Sequence, residues 1–208
     1  LGLVGSEMCI RDSRYGENPQ QKATAFINNN MFKQLSGEKK LSYNNLLDLD
    51  AALTITYLTN SNKHICTIVK HNIPCGASIE TSQIKSYTNA LDGDPVSAFG
   101  GVVAFNKKVT SLTAKNLLKN FYEVVAAPDF DGEALKILKK WVNLRVLKVK
   151  KYKSKIEQRS IFAGMLVQQA NSKKSTIKKV YGVNSLNDER INFFSNVIKA
   201  VKSNAIAI

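Results

Sequence analysis

The chain has 208 residues, of which 44% are hydrophobic, so it is long enough and apolar enough for one sizeable folded domain. Its net charge of +14 raises nucleic acid or an anionic metabolite as a partner, and its three cysteines are too few for a disulfide framework. No apolar run approaches the ~20 residues that span a bilayer, and the amino terminus lacks the basic flank of a signal peptide. We therefore expect a cytoplasmic protein without a membrane partner.

Short β-branched runs alternate with helical stripes from residue 14 onward. This pattern predicts an α/β fold, a layered sheet with helices on both faces. Residues 1–13 have no such periodicity and resemble a translated adapter sequence, so we interpret them as an artefact. The predicted strands are 24–27, 65–69, 102–105, 124–127, 144–147, 161–167 (interrupted by a glycine) and 205–208. The predicted helices are 45–58, 79–91, 112–121, 133–141 and 188–201.

The densest run of positive charge lies at residues 148–155, which hold five lysines and a single aromatic residue. A nucleic-acid surface usually interleaves its charges with aromatic rings that stack on bases. An exposed lysine-rich edge explains the run more simply, because lysine often protects edge strands. A basic nucleic-acid-binding α/β module is kept as the alternative function.

Lys70 and His71 follow the buried strand predicted at 65–69, and residues 74–76 (Pro-Cys-Gly) after them predict a tight loop. Ligands of open α/β sheets bind at the carboxyl ends of strands. Histidine can take a proton near neutral pH, and lysine can hold a positive charge beside it. The dipeptide alone is a weak signal, since Lys63 and His64 repeat it seven residues earlier.

The Pro74-Cys75 pair faintly resembles the zinc nucleobase deaminases, which carry Pro-Cys-x-x-Cys and His-x-Glu. Here Ser78 stands at the position of the second cysteine, and no His-x-Glu partner is present. We therefore expect no zinc site. A small, buried side chain explains Cys75 better than a nucleophile does.

Six short segments of the chain form an ordered set of motifs: 14–19 (RYGENP), 41–52 (LSYNNLLDLDAA), 69–71 (VKH), 74–76 (PCG), 94–101 (DPVSAFGG) and 202–206 (KSNAI). Each segment is a modest motif by itself, but all six in this order are highly specific. In this order they resemble one family, the AICAR transformylase domain of AICAR formyltransferase/IMP cyclohydrolase.

The resemblance implies a cytidine-deaminase-like subdomain and the transfer of a formyl group from 10-formyltetrahydrofolate to AICAR in purine biosynthesis. It implies no catalytic metal, and a homodimer in the full-length enzyme. It also implies that residues 14–208 are the amino-terminal part of the transformylase domain. The cyclohydrolase domain and the second transformylase half, which contacts folate, would lie outside the chain, so we expect the chain alone to be inactive.

The resemblance further implies three catalytic residues. The AICAR amine is a poor nucleophile, so the reaction needs a base for its proton and a cation for the oxyanion. By position, His71 corresponds to the proton acceptor and Lys70 to the residue that stabilises the transition state. Asn204 corresponds to the asparagine that lies near the substrate carboxamide.

Five further positions match contacts to AICAR in this family. Arg14 suits the ribose phosphate because its guanidinium is a fork of donors. Glu123 stands at a position that carries aspartate in some members, so a carboxylate is the common feature. The predicted substrate-binding residues are Arg14, Tyr15, Asn45, Gly100 and Glu123.

Overall fold

The computed structural model describes residues 8–12, 16–28, 30–151, 156–170 and 187–201. Six of the described strands form one central sheet, and the other four form two separate two-stranded sheets. The strands are β1 (Met8–Asp12), β2 (Thr24–Asn28), β3 (Phe32–Ser36), β4 (His64–Lys70), β5 (Ile73–Glu80), β6 (Gly101–Phe105), β7 (Tyr122–Ala127), β8 (Arg145–Val149), β9 (Ile156–Ile161) and β10 (Gly164–Gln169). The helices are α1 (Tyr43–Leu58), α2 (Gln83–Gly93), α3 (Ser111–Leu117), α4 (Gly132–Leu138) and α5 (Asp188–Ala200).

The central sheet is mixed, with the strand order β3-β8-β7-β6-β4-β5. Strands β6, β7 and β8 are parallel and are joined by the crossover helices α3 and α4. Strand β4 is antiparallel to both of its neighbours, β5 and β6, and β3 is antiparallel to β8. This architecture confirms the predicted α/β class; the likeness to a cytidine-deaminase subdomain stays a prediction.

Helices cover both faces of the sheet, as predicted. Successive side chains of a strand point to opposite faces. Val102 and Ala104 of β6 therefore pack in the cluster that contains α1, whereas Val103 and Phe105 pack in the cluster formed with α2, α3 and α4. Helix α5 joins the α1 face through Val197. The two apolar layers explain why β6 is buried at every position.

The chain reverses direction directly after Lys70, earlier than the predicted loop. Residues 71 and 72 form a two-residue hairpin turn, and Lys70 pairs with Ile73 across it. The expected loop at 74–76 is instead part of β5, and the predicted helix 79–91 begins only at Gln83. Strand β5 lies at the edge of the sheet, where a proline such as Pro74 is tolerated because no ladder hydrogen bond is lost on its outer side.

Other boundaries also differ from the prediction. The single strand expected at 161–167 is wrong, because the chain turns at Phe162 and Ala163 and pairs β9 with β10. Helices α3 and α4 end at Leu117 and Leu138, one turn earlier than predicted. Strand β3 was not predicted, because its run carries polar side chains on both sides of Leu35.

Two predictions concern the ends of the chain. Residues 8–12, within the segment interpreted as an artefact, form β1 and pair with β2, whereas the prediction gave this segment no structure. Its origin stays a prediction, and the strand predicted at 205–208 lies outside the described residues. Among the helices that the structure describes, none is both long and apolar enough to cross a membrane.

Candidate active site

The direction of β4 decides which loops surround Lys70. Because β4 is antiparallel to β6, Val69 pairs with Val102 and the carboxyl end of β4 lies beside the amino ends of β6, β7 and β8. Lys70 and His71 lie at the carboxyl end of β4, as predicted, and this end of β4 is at the sheet edge that holds the amino ends of its parallel neighbours. The loops that precede β6, β7 and β8, together with the start of α1, form this edge.

His71 and Asn72 are the two central residues of the hairpin turn, and both have a left-handed backbone, with φ values of 54° and 62°. Positive φ at both positions is the condition for a type I′ turn, which matches the twist of the flanking strands. Such a conformation costs on the order of 1–3 kcal/mol at each non-glycine residue. The backbone N–H of Asn72 donates to Oδ1 of Asp48 at 2.6 Å, and this bond from α1 holds the turn. His71 is exposed and therefore accessible to a ligand.

Lys70 contacts the loop that enters β6. Its Nζ donates to the carbonyl oxygen of Phe99 at 2.5 Å. The next residue, Gly100, has φ of +75°, and a Cβ built there would lie 3.9 Å from Lys70 Nζ. The N–H of Gly100 donates to the Phe121 carbonyl at 2.8 Å, which ties this loop to the start of β7. Lys70 and Gly100 are thus immediate neighbours.

Asn45, Glu123 and Arg145 form a hydrogen-bonded network across α1, β7 and β8. The Nη2 of Arg145 donates to Oδ1 of Asn45 and to Oε2 of Glu123, at 2.8 Å each. Nδ2 of Asn45 donates to the same Glu123 oxygen at 2.6 Å. Asn45 also closes a capping box with Ser42, which begins α1 at this point. The network leaves the Glu123 side chain 40% exposed, so its carboxylate can still meet a ligand.

Burial raises the pKa of Asp48 above the usual range of an aspartate, although the N–H groups of Asn72 and His71 lower it in part. The negative charge of the nearby Glu123 also raises the pKa of Asp48. Burial raises the pKa of the Cys75 thiol as well, and Asp94 adds to that rise. A thiol of raised pKa is a poor nucleophile at neutral pH, in agreement with the passive role expected for Cys75.

Five of the predicted site residues lie at this one edge of the sheet. They are Lys70, His71, Asn45, Gly100 and Glu123. The other three predicted residues lie outside the described ranges: Arg14, Tyr15 and Asn204. In the part of the chain that the structure describes, no group of three or more His, Cys, Asp or Glu side chains could hold a metal ion.

Sequence reasoning missed two side chains that hold the site together, Asp48 and Arg145. Asp48 lies one helical turn after Asn45, on the same buried face of α1, and this spacing was the available signal. Arg145 is a charged residue at the first position of β8, directly before two apolar residues, and it is 5% exposed. Its Nε has no hydrogen-bond partner among the described residues. The available signal for Arg145 was a cation within the strand predicted at 144–147, since an arginine is seldom buried unless it is paired.

The chain is similar to a known family over nearly its whole length. The family model described as "AICARFT/IMPCHase bienzyme" matches residues 6–208. A protein from Prochlorococcus marinus (strain MIT 9312) named "Bifunctional purine biosynthesis protein PurH" is 46% identical over 226 residues, which cover 99% of this chain and 44% of that protein. A protein of the same name from Clostridium botulinum (strain 657 / Type Ba4) is 42% identical and covers 95% of this chain and 41% of its own length. The chain thus spans less than half the length of these curated relatives.

Proposed function

The chain belongs to the AICARFT/IMPCHase bienzyme family, and we propose that it forms the amino-terminal part of an AICAR formyltransferase domain within a longer bifunctional enzyme. The complete enzyme would transfer the formyl group of 10-formyltetrahydrofolate to AICAR and then close the product to IMP. We place it in the cytoplasm, as a homodimer. The observation that carries the proposal is the presentation of Lys70 and His71 beside Gly100 at one edge of the sheet.

His71 is proposed as the general base. The 5-amino group of AICAR attacks the formyl carbon, a C–N bond forms, and the amine proton passes to the imidazole. The C–N10 bond to tetrahydrofolate then breaks, and N10 takes a proton as it leaves. The exposed position of His71 on a rigid two-residue turn supports this role, because the ring stands beyond the end of β4 and is accessible to both substrates.

Lys70 is proposed to stabilise the oxyanion of the tetrahedral intermediate. An ammonium group has three donors, and the Phe99 carbonyl takes one of them. The two remaining donors can serve a developing oxyanion, while the bond to Phe99 fixes where the charge lies. Gly100 supports this arrangement because its left-handed backbone turns the loop immediately beside Lys70 Nζ.

Glu123 and Asn45 are proposed to contact AICAR. Oε2 of Glu123 accepts hydrogen bonds from Asn45 and Arg145, which leaves the second oxygen of a partly exposed carboxylate for a substrate hydroxyl or amide. Arg14 and Tyr15 would bind the ribose phosphate and the ring. Asn204 would lie near the carboxamide.

The test is formyl transfer by the full-length enzyme with Lys70→Ala or His71→Ala. Each substitution removes an oxyanion donor or a base, so we expect turnover to fall about 10²–10⁴-fold with an unchanged circular dichroism spectrum. The matched controls are Lys63→Ala and His64→Ala, which alter the same dipeptide at the opposite end of β4 and should leave turnover near normal. Near-normal turnover with either Lys70→Ala or His71→Ala would refute the assignment.

The alternative, a nucleic-acid-binding module, has little support from the described part of the lysine run. Lys148 is paired with Asp129 at 2.9 Å, and Lys151 Nζ donates to Oδ1 of Asn60 at 3.4 Å. Retention on a DNA column that weakens steeply with salt would favour this alternative.

A further inference from the structure

The turn that presents His71 contains no glycine, although histidine and asparagine tolerate a left-handed backbone better than most other residues. A type I′ turn usually carries Asn-Gly or Gly-Gly at its centre, because glycine adopts positive φ without a steric cost. Here the second central residue is Asn72, with φ of 62°. Backbone strain of this kind persists only where the surrounding structure imposes it.

Among the described residues, Asp48 holds this turn from outside the hairpin. Its Oδ1 accepts the N–H of Asn72 at 2.6 Å, from a helix 24 residues earlier in the chain. Asp48 is 8% exposed, and burial disfavours its charged form, which is seen in its raised pKa. A buried carboxylate that interacts with the backbone N–H groups of the proposed catalytic turn, those of Asn72 and His71, indicates a role other than packing.

We propose that Asp48 is a positioning residue for formyl transfer: it fixes the left-handed turn at His71 and Asn72 and thereby the place from which the imidazole takes the amine proton. This inference deepens the proposed function and rests on it. Asp48 acts through the backbone of the turn and does not contact the substrate.

The hydrogen bond, and not the charge, is the feature that this role requires. The charged and titratable groups that face Asp48 are His71 on the turn and Glu123 on β7, with Cys75 on β5 and the ammonium of Lys70 close by. An asparagine at position 48 would keep an acceptor oxygen for the Asn72 amide while removing the negative charge. The charge and the bond can therefore be separated by substitution.

The experiment compares Asp48→Ala, Asp48→Asn and the double variant Asp48→Ala/Asn72→Gly in the full-length enzyme. Loss of the bond to a charged acceptor should lower kcat about tenfold or more in Asp48→Ala, with the dissociation constant of AICAR changed less than about threefold. Asp48→Asn should recover most of this loss. The double variant should also recover most of it, because glycine at position 72 adopts the turn without the help of Asp48.

Recovery of kcat on adding Asn72→Gly to Asp48→Ala would not be expected if Asp48 only packed against its neighbours. The matched control is Thr56→Val, which removes another buried hydrogen bond between α1 and β4, from Thr56 Oγ1 to Thr67 Oγ1 at 3.0 Å, and should leave kcat unchanged. The proposal is overturned if Asp48→Ala keeps normal kcat, if Asp48→Asn is as slow as Asp48→Ala, or if the folded double variant does not recover. If Asp48→Ala does not fold, the double variant decides the question. A double variant that folds and is active supports the proposal, and a double variant that does not fold or is inactive contradicts it.

Hydrogen exchange separates this proposal from the proposed function. If the unsubstituted enzyme lacks formyl transfer, the proposed function fails, but the bond to Asp48 can still be tested on the Asn72 amide. We expect that amide to exchange faster in Asp48→Ala and to stay protected in Asp48→Asn. Equal protection in both variants would refute the bond itself.

Discussion

Arg145 joins three elements at the proposed substrate site, and its removal should destabilise the fold more than an ordinary ion pair does. The informative substitution is Arg145→Met, since methionine keeps the apolar stem that packs at the start of β8 and removes only the guanidinium. The substitution eliminates three hydrogen bonds, two of 2.8 Å each to Asn45 and Glu123 and one of 3.2 Å to the Asn143 carbonyl.

The expected cost is about 2–3 kcal/mol, which lies below the 3–5 kcal/mol typical of breaking a fully buried ion pair. Two features of the structure reduce it. The Glu123 side chain is 40% exposed, so water replaces part of the lost contact. Asn45 Oδ1 keeps the backbone N–H of Ser42 at 3.1 Å, so it is not left without a donor. For a chain of this size the loss corresponds to a decrease in Tm of about 5–10 °C.

Urea denaturation of the 208-residue chain, followed by tryptophan fluorescence, measures this loss. Trp141 is the single tryptophan, and its ring centroid lies 6.4 Å from that of Phe121, close to the site. The matched control is Arg190→Met on α5, whose ion pair with Glu80 at 3.1 Å is partly exposed and should contribute no more than about 1 kcal/mol.

The reasoning is refuted if Arg145→Met costs no more than Arg190→Met. A double-mutant cycle with Glu123→Gln adds a second criterion. Because the two side chains are in direct contact, their substitutions should be non-additive by about 1 kcal/mol or more. Additive losses would mean that Arg145 stabilises the fold through its stem and not through Glu123.

Two further substitutions test the backbone of the site and the core of α1. Gly100→Ala should lower the free energy of unfolding by about 1–2 kcal/mol, because the backbone there has φ of +75°. The added Cβ itself meets only ordinary contacts, so the cost comes from the backbone. The control Gly132→Ala, where a Cβ meets nothing within 4 Å, should not lower the free energy of unfolding. Burial raises the pKa of Tyr57 to about 12, above the usual 10.0, so the folded state holds the phenol proton more tightly and loses stability as pH rises from 10 to 12. The midpoint of urea unfolding should therefore decrease less between pH 8 and pH 11 for Tyr57→Phe than for the unsubstituted chain. An equal decrease in both proteins would contradict this prediction.

The elements that could be predicted from the sequence are those whose pattern is local. The apolar runs of β6 and β7 are buried on both faces, so an unbroken run of four apolar residues was sufficient to find each strand. Helix α1 was found from its stripe of Leu49, Ala52 and neighbouring residues; it was predicted to begin at Asn45 and begins at Tyr43, after the capping residue Ser42. In each case the residues that decide the structure lie within a few positions of one another.

Strand β5 could not be found in this way, because its glycine serves a contact that is distant in sequence. A Cβ at Gly76 would lie 2.0 Å from the carbonyl oxygen of Ala90 in α2. Gly76 therefore lets the helix approach the edge strand closely, which is one of the meanings of glycine inside a strand. From the sequence alone, Gly76 after Pro74 favoured a loop.

The site shows the same division between local and distant information. Lys70 and His71 were found because they follow an apolar run directly, and Asn45, Gly100 and Glu123 were found through the family resemblance. Asp48 and Arg145 act over 24 and 100 residues of sequence, on Asn72 and Asn45 respectively. No periodicity or spacing encodes such contacts, so only the folded chain reveals them.

The antiparallel direction of β4 beside the parallel strands β6, β7 and β8 accounts for the composition of the site. Had β4 run parallel to β6, residues 70–72 would lie at the opposite edge, away from the loops that precede β6, β7 and β8. Because it runs antiparallel, the tight turn after Lys70 comes to the amino ends of those strands, where the loop at Gly100 and the start of α1 also lie. The bond from the Asn72 N–H to Asp48 ties the turn to α1, and the bond from Lys70 Nζ to the Phe99 carbonyl ties the end of β4 to the loop that enters β6. The direction of this one strand therefore brings the proposed base and the proposed oxyanion donor beside the Asn45, Glu123 and Arg145 network.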